Sequence, residues 1–293
     1  MFNGENVCLL TVDSCRLDTA MHARTPWLDK LGPCLPSEAS ATFTLPAHWA
    51  IFSGFLPIQP RGARLLGEYD RIWRPKSARS TSARCYQYLS SGTLMDHYSA
   101  AGSYVLGLGG VQFFDPASSS NSLPKLFYDF RYVGAGAGSD DLISGRAETN
   151  LPCGVISKTV SDLLRHEPFF FFANLSETHM PYTTPASGPL PLRVALALEA
   201  VREVAAFEAP GEKAESLGLQ VLRELHHLQV SALEWVDSQL GVFFSHLQEA
   251  ERPTMIVVCA DHGESFGEDG RIGHGHPGPA VTTVPLWVGR IYP

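Results

Sequence analysis

The chain is organised around short, unbroken apolar runs separated by helix-like stretches, and this pattern limits its fold more than any other feature. The runs are Val7–Val12, Tyr104–Leu108, Phe169–Leu175, Met255–Cys259 and a short last one at Pro285–Val288. A strand that is apolar on successive residues has both faces covered, and parallel neighbours are joined by crossover helices. The expected fold is therefore α/β: a three-layer α/β/α sandwich with a mostly parallel central sheet. Helices are expected at Thr25–Leu31, from about Pro46, and at Thr93–Ala101 before Gly102. A long one is expected from about Leu217 to Leu247, because Leu222, Leu225, Leu233, Val236, Leu240, Phe243 and Leu247 recur at three- and four-residue steps. Ser77–Ser82, Asp115–Pro124, Gly134–Gly138 and Thr183–Pro191 read as loops, the last leading into an Ala/Glu-rich stretch at Leu192–Ala209. With no internal repeat and no clean linker, one domain over residues 1–293 is the simplest organisation.

Composition narrows the function classes. Hydrophobic residues make up 44% of the 293 and charged residues only 18%, enough for a sizeable core and too apolar for a disordered chain. No run approaches the roughly 18 apolar residues that a membrane-crossing helix requires. The balance of 22 Lys+Arg against 30 Asp+Glu, a net charge of -8, argues against a nucleic-acid partner. The six cysteines form no CxxC pair, and the N-terminus enters a strand without a basic, apolar leader, so a reduced, cytoplasmic protein is expected. Asn174-Leu175-Ser176 matches a glycosylation sequon but follows a buried-looking strand, so it carries no weight. Eleven histidines point instead to metal or acid–base chemistry.

Three places carry that chemistry. Leu9-Leu10-Thr11-Val12 runs into Asp13-Ser14-Cys15-Arg16. A carboxylate at the end of a buried strand is unfavourable unless paired or metal-bound, although alone this Asp reads as a cap for the next helix. Thr44 precedes Pro46, which suits the first turn of a helix. A hydroxyl there meets free N–H groups and the positive dipole end, though an ordinary Thr N-cap has the same appearance. Met255–Cys259 leads to Asp261-His262-Gly263-Glu264, then Gly267-Glu268 and Gly273-His274-Gly275-His276. Adjacent Asp and His at a strand end offer oxygen and nitrogen ligands to one cation.

Taken in this order, these blocks resemble the sulfatase-like and phosphoethanolamine-transferase-like branch of the alkaline phosphatase superfamily. Val12-Asp13-Ser14-Cys15-Arg16 resembles the opening metal-aspartate motif, and Thr25-Pro26-Trp27-Leu28-Asp29-Lys30-Leu31 the helix after it. Thr44-Leu45-Pro46-Ala47-His48 through Ser53-Gly54 resembles the nucleophile motif, and Thr178-His179-Met180-Pro181-Tyr182 the His-x-Pro-Tyr element. Asp261-His262-Gly263-Glu264, with Gly273-His274-Gly275 and Val284-Pro285-Leu286, is similar to the family's closing signature. The chain departs from the sulfatase pattern in three ways. Thr44 stands where sulfatases convert a Cys to formylglycine, Ser14 stands where they carry a second acid, and His48 stands at the motif Arg.

The resemblance implies one divalent cation held by Asp13, Asp261, His262 and the Thr44 oxygen. The ligand set favours zinc or manganese, with magnesium or calcium also compatible. Thr44 is implied as nucleophile, with His179 and His274 catalytic at the substrate oxygens and Arg16, His48 and His276 as substrate contacts. The expected function is metal-dependent hydrolysis of a phosphate, phosphonate or sulfate ester through a phospho-Thr intermediate. Transfer of the phospho group to an alcohol acceptor and a non-catalytic metal-binding protein on the same fold are the alternatives. The expected partner is a small-molecule anionic ester, with neither nucleic acid nor membrane. Glu264, Glu268 and Asp269 read as loop-shaping, and His226 and His227 as solvated residues of the long helix.

Overall fold

The computed structural model describes residues 4–54, 74–75, 87–88, 92–118, 121–134, 151–182, 184–187, 190–198 and 218–293. Its centre is a seven-stranded sheet. In chain order the strands are β1 (Asn6–Val12), β2 (Leu35–Glu38), β3 (Tyr104–Gly109), β4 (Asp129–Tyr132), β5 (Phe169–Leu175), β6 (Thr254–Cys259) and β7 (Thr283–Ile291). Across the sheet they run β2-β7-β6-β1-β5-β3-β4. The strands from β6 to β4 are parallel, whereas β7 is antiparallel to both β6 and β2. The five apolar runs thus form the middle of the sheet. The edge strands β2 and β4 are short and carry no apolar run, which is why the sequence pattern did not mark them.

The register of the centre is pinned at both ends. Thr11 lies opposite Asn174 and Val7 opposite Phe170 in the β1–β5 pair. At the amino ends the Asn6 side chain donates to Glu167 at 2.8 Å and accepts from the Phe169 N–H at 3.2 Å. Phe169 and Phe171 face one apolar cluster and Phe170 and Phe172 the other, so β5 is buried on both sides. Each such side chain contributes roughly 1.5–3 kcal/mol by leaving water.

The helices α1 (Leu17–His22), α2 (Thr44–Ser53), α3 (Leu94–Ala100), α4 (Val160–Arg165) and α5 (Leu219–Leu247) cover the sheet. Leu233, Val236, Leu240, Phe243 and Leu247 of α5 pack on the face that receives Phe169 and Phe171, as the periodicity predicts. Trp49 and Phe52 of α2 and Met95 and Tyr98 of α3 cover the opposite face. α3 starts at a capping box in which Thr93 and Asp96 exchange bonds.

One expected helix is absent. The stretch from Pro26 to Leu31 forms turns, and the helical segment after β1 is α1 instead. The stretch is tied to α5, whose Asp237 carboxylate accepts the N–H groups of Trp27 at 3.1 Å and Leu28 at 2.8 Å. Gly241 makes room for the Trp27 ring, since a Cβ there would lie 2.5 Å from it. Ser77–Ser82 and residues 199–209 lie outside the described residues, as do 119–120, 135–138, 183 and 188–189 of the other expected loops; residues 192–198 are helical. Among the described residues no helix is long and apolar enough to cross a membrane. The described cysteines, Cys8, Cys15, Cys34, Cys153 and Cys259, are all free.

Candidate metal centre and active site

The carboxyl ends of β1, β5 and β6 lie side by side, and each delivers polar residues to one place. Asp13 follows β1, Thr178 and His179 follow β5 through the turn Ser176–Thr178, and Asp261-His262 follow β6. Ligand atoms of Asp13, Asp261 and His262 all lie within 4.8 Å of one another, and all three residues are buried. His262 Nε2 is 3.7 Å from Asp13 Oδ1 and 3.5 Å from Asp261 Oδ2. Thr44, the first residue of α2, brings its Oγ1 to 3.3 Å from His262 Nε2 and 3.5 Å from Asp13 Oδ2.

The backbone is bent to hold this cluster. Ser14 has φ of 60°, an uncommon value for a residue with a side chain. In that conformation its N–H donates to Asp261 Oδ1 at 3.2 Å, and its hydroxyl donates to Asp13 Oδ1 at 3.2 Å. Asp261 Oδ1 also accepts the His262 N–H at 3.0 Å. The His262 Nδ1–H donates to the Gly263 carbonyl at 2.9 Å, which leaves Nε2 as a lone-pair donor toward the cluster.

The electrostatics are those of a cation site. Burial pushes Asp13 up, but His179, His262, His48 and the Asn174 amide outweigh it and hold Asp13 below its ordinary value. Burial and the Asp13 charge push Asp261 well above the carboxylate range. Asp261 Oδ2 has His48 Nδ1 and His262 Nε2 each 3.5 Å away yet accepts no hydrogen bond. Burial and neighbouring His274 bring His262 down to about 3, so its imidazole is neutral and free to ligate. Two buried carboxylates, one with an unpartnered oxygen, beside a neutral imidazole fit a divalent cation.

His179 and His274 are only partly buried and mark the open side of the cluster. Their rings are 5.3 Å apart, and the His274 ring is 4.5 Å from that of His262. The His274 Nδ1–H donates to Glu264 Oε1 at 3.0 Å. Burial opposes charge on His274, but Glu264 more than offsets it and holds the imidazole above its ordinary value.

The expected substrate contacts are placed differently. Arg16 is buried and turned sideways: it donates to Asp18 at 2.7 and 2.6 Å, to Glu268 at 2.7 Å and to the Glu264 carbonyl at 3.1 Å. It therefore ties loops together, because its charge is already matched by two carboxylates. His48 is fully buried against Phe52, Phe114 and Phe172. It donates from Nδ1 to the Thr44 carbonyl at 2.8 Å and accepts the Thr11 hydroxyl at Nε2 at 2.9 Å, and burial brings it down to about 4. It forms the floor under Thr44. His276 is also buried, with Nε2 2.9 Å from the Ser265 hydroxyl.

Sequence reasoning missed two supports. Asn174 donates to Asp13 Oδ2 at 2.8 Å, and the Thr178 hydroxyl donates to the Asp13 carbonyl at 2.6 Å. The available signal was a polar residue interrupting the end of an otherwise apolar strand.

The sulfatase family model matches residues 92–288, about two thirds of the chain. The chain belongs to the sulfatase family. The family match spans His179, Asp261, His262 and His274 and leaves Asp13 and Thr44 to be located by the geometry above. No curated protein matches this sulfatase-family chain. Among solved structures it is similar to a phosphonate monoester hydrolase of Agrobacterium radiobacter, at 18% identity and TM-score 0.59, over 97% of this chain and 68% of the other. It is also similar to the C-terminal periplasmic domain of phosphoethanolamine transferase EptC from Campylobacter jejuni, at 13% identity and TM-score 0.54, over 98% and 79%. The corresponding Escherichia coli domain, solved in complex with zinc, matches at 15% identity and TM-score 0.58, over 98% and 72%. At these identities the likeness shows the alkaline phosphatase-like fold.

Proposed function

We propose that this chain is a metal-dependent hydrolase of a phosphate ester, or of a related phosphonate or sulfate ester, with Thr44 as its nucleophile. The observation that carries the reading is the meeting of the Thr44 hydroxyl with the Asp13, Asp261 and His262 cluster at the start of a ten-residue helix. Asp13, Asp261, His262 and Thr44 would hold one divalent cation. When bound, such a cation lowers the pKa of a hydroxyl and polarises an ester oxygen. Zinc or manganese suits the mixed oxygen and imidazole set, and a zinc-bound neighbour of the same fold supports the first.

The protein's own groups supply the rest. Thr44 Oγ1 points its proton toward Asp13 Oδ2, and Thr44 opens α2, whose dipole favours negative charge at that end. The bond from Oγ1 to phosphorus forms as the bond to the leaving oxygen breaks, giving a phospho-Thr that water then opens. His179 and His274, on the open side, balance charge on the ester oxygens, and a ring N–H delivers a proton to the leaving oxygen. A small-molecule anionic ester would fit this arrangement with a cation bound, whose charge would offset the buried carboxylates inside a net-acidic chain. Transfer to an alcohol acceptor is the same chemistry with another second step, and the phosphoethanolamine transferase neighbours favour keeping it as the second reading.

The test is metal analysis of the purified chain alongside aryl phosphate, phosphodiester, phosphonate and sulfate substrates, with and without alcohol acceptors. Thr44→Ala is expected to lower kcat by about a thousandfold or more while metal binding is weakened and not lost. Wild-type turnover in that variant would sink the nucleophile assignment. Turnover that needs an alcohol would select transfer.

A further inference from the structure

The long helix reaches the site through Gln229. Gln229 of α5 is fully buried, and its Nε2 donates to the Ser14 carbonyl at 2.9 Å and to the Thr178 carbonyl at 3.0 Å. Its Oε1 accepts the Thr19 hydroxyl at 2.6 Å. This fixes the amide's orientation, since the reverse would set Oε1 against two carbonyls. Thr19 in turn lies 3.1 Å from His226 Nε2, a ring stacked on Phe266. The two bonded carbonyls belong to residues that matter. Ser14 follows Asp13 and holds Asp261 through its N–H, whereas Thr178 precedes His179 and holds the Asp13 carbonyl through its hydroxyl.

We propose that Gln229 is a positioning residue that sets the spacing between the Asp13 loop and the His179 loop; this rests on the hydrolase reading of the site. A primary amide has two N–H donors on one nitrogen, and here each serves a carbonyl from a different loop. Glutamate offers no donor there, methionine no hydrogen bond, and asparagine is one methylene short. Each carbonyl is otherwise buried beside the site, where an unpaired group is unfavourable and the loop would move to relieve it. The loops carry metal and substrate groups, so a small displacement acts on both.

Gln229→Met keeps length and volume and removes both donors. Thr178→Val removes the hydroxyl that joins the loops, and Thr178→Ser restores it. Four quantities are measured on the full chain: zinc affinity by calorimetry, hydrogen exchange at the Ser14 N–H, kcat and KM. Gln229→Met and Thr178→Val should bind zinc about 10- to 100-fold more weakly, exchange faster at Ser14 and lose kcat with little change in KM, while Thr178→Ser stays within about threefold of wild type. Wild-type zinc affinity, exchange and kcat per folded molecule in Gln229→Met would overturn the proposal, however far its melting temperature falls. If that variant does not fold, the Thr178 pair decides by the same readouts. A wild-type chain that binds zinc yet turns over no ester would defeat the hydrolase reading, and the zinc and exchange readouts would still decide the role of Gln229.

Discussion

Asn174 shows how much a single buried polar atom can decide. Its amide donates to Asp13 Oδ2 and also approaches the Thr11 hydroxyl at 3.4 Å, so it orients the Asp13 carboxylate from the neighbouring strand. Asn174→Leu keeps the volume and removes a hydrogen bond to an ionised group, a loss of about 1.5–3 kcal/mol, or roughly 10- to 100-fold in zinc affinity by titration. Unchanged affinity would show that Asp13 needs no such support. Arg16 gives a second case, with a pH signature. Burial pushes Asp18 and Glu268 up, but the Arg16 bonds and charge outweigh it and hold both below their ordinary values. Carboxylates lowered on folding stabilise above their unfolded values, about 4, and that contribution fades as pH falls through the lower folded values. Arg16→Met should therefore flatten the stability profile between about pH 3 and 5 in denaturant titrations, most of all at its acid end. An unchanged profile would show that the loops hold without the arginine.

At the level of elements, what was legible follows from burial. The apolar runs and the α5 period are visible because core positions must be hydrophobic at fixed spacing. Leu233→Ala, in the fully buried stripe of α5, should lower unfolding free energy by about 2–5 kcal/mol in denaturant melts, whereas exposed Val242→Ser should stay within about 0.5 kcal/mol. Similar losses at both positions would mean that α5 packs differently. The edge strands β2 and β4 were not legible, because pairing with distant strands and not an apolar run defines them, and the turns over 26–31 meet α5 through bonds between distant residues. Asp237 reaches Trp27 and Leu28 across about two hundred positions of sequence, and no local pattern records that. The same holds for the supports of the site. Asp13, Thr44, Asp261 and His262 stood out by motif and His48 by its place in one, but Gln229 looks like any polar residue of an amphipathic helix.

For the whole molecule, the Asp13 and Asp261 cluster and the fold oppose each other. Asp13 and Asp261 are two buried carboxylates held face to face by the sheet. Asp261→Asn keeps the oxygen that accepts the Ser14 and His262 N–H groups and removes one carboxylate. In chelator this variant should melt above wild type. Zinc at a hundred times its Kd should stabilise the wild type by about 2.7 kcal/mol and the variant far less. Calorimetry with and without chelator checks the order, and a variant that melts below wild type in chelator would contradict the carboxylate strain. The Phe-rich centre has a last consequence. A strand apolar on both faces carries no inside or outside, so sliding β5 by one or two residues would leave its phenylalanines as well buried as before. What distinguishes the correct alignment is polar: Asn6 at one end of the β1–β5 pair and Asn174 against Asp13 at the other. A slip of two residues would carry Asn174 about 6.6 Å from its partner. The residues that orient Asp13 at the carboxyl end of the sheet therefore also act as its alignment marks, and a chain that misaligns its core scatters the Asp13 cluster in the same event.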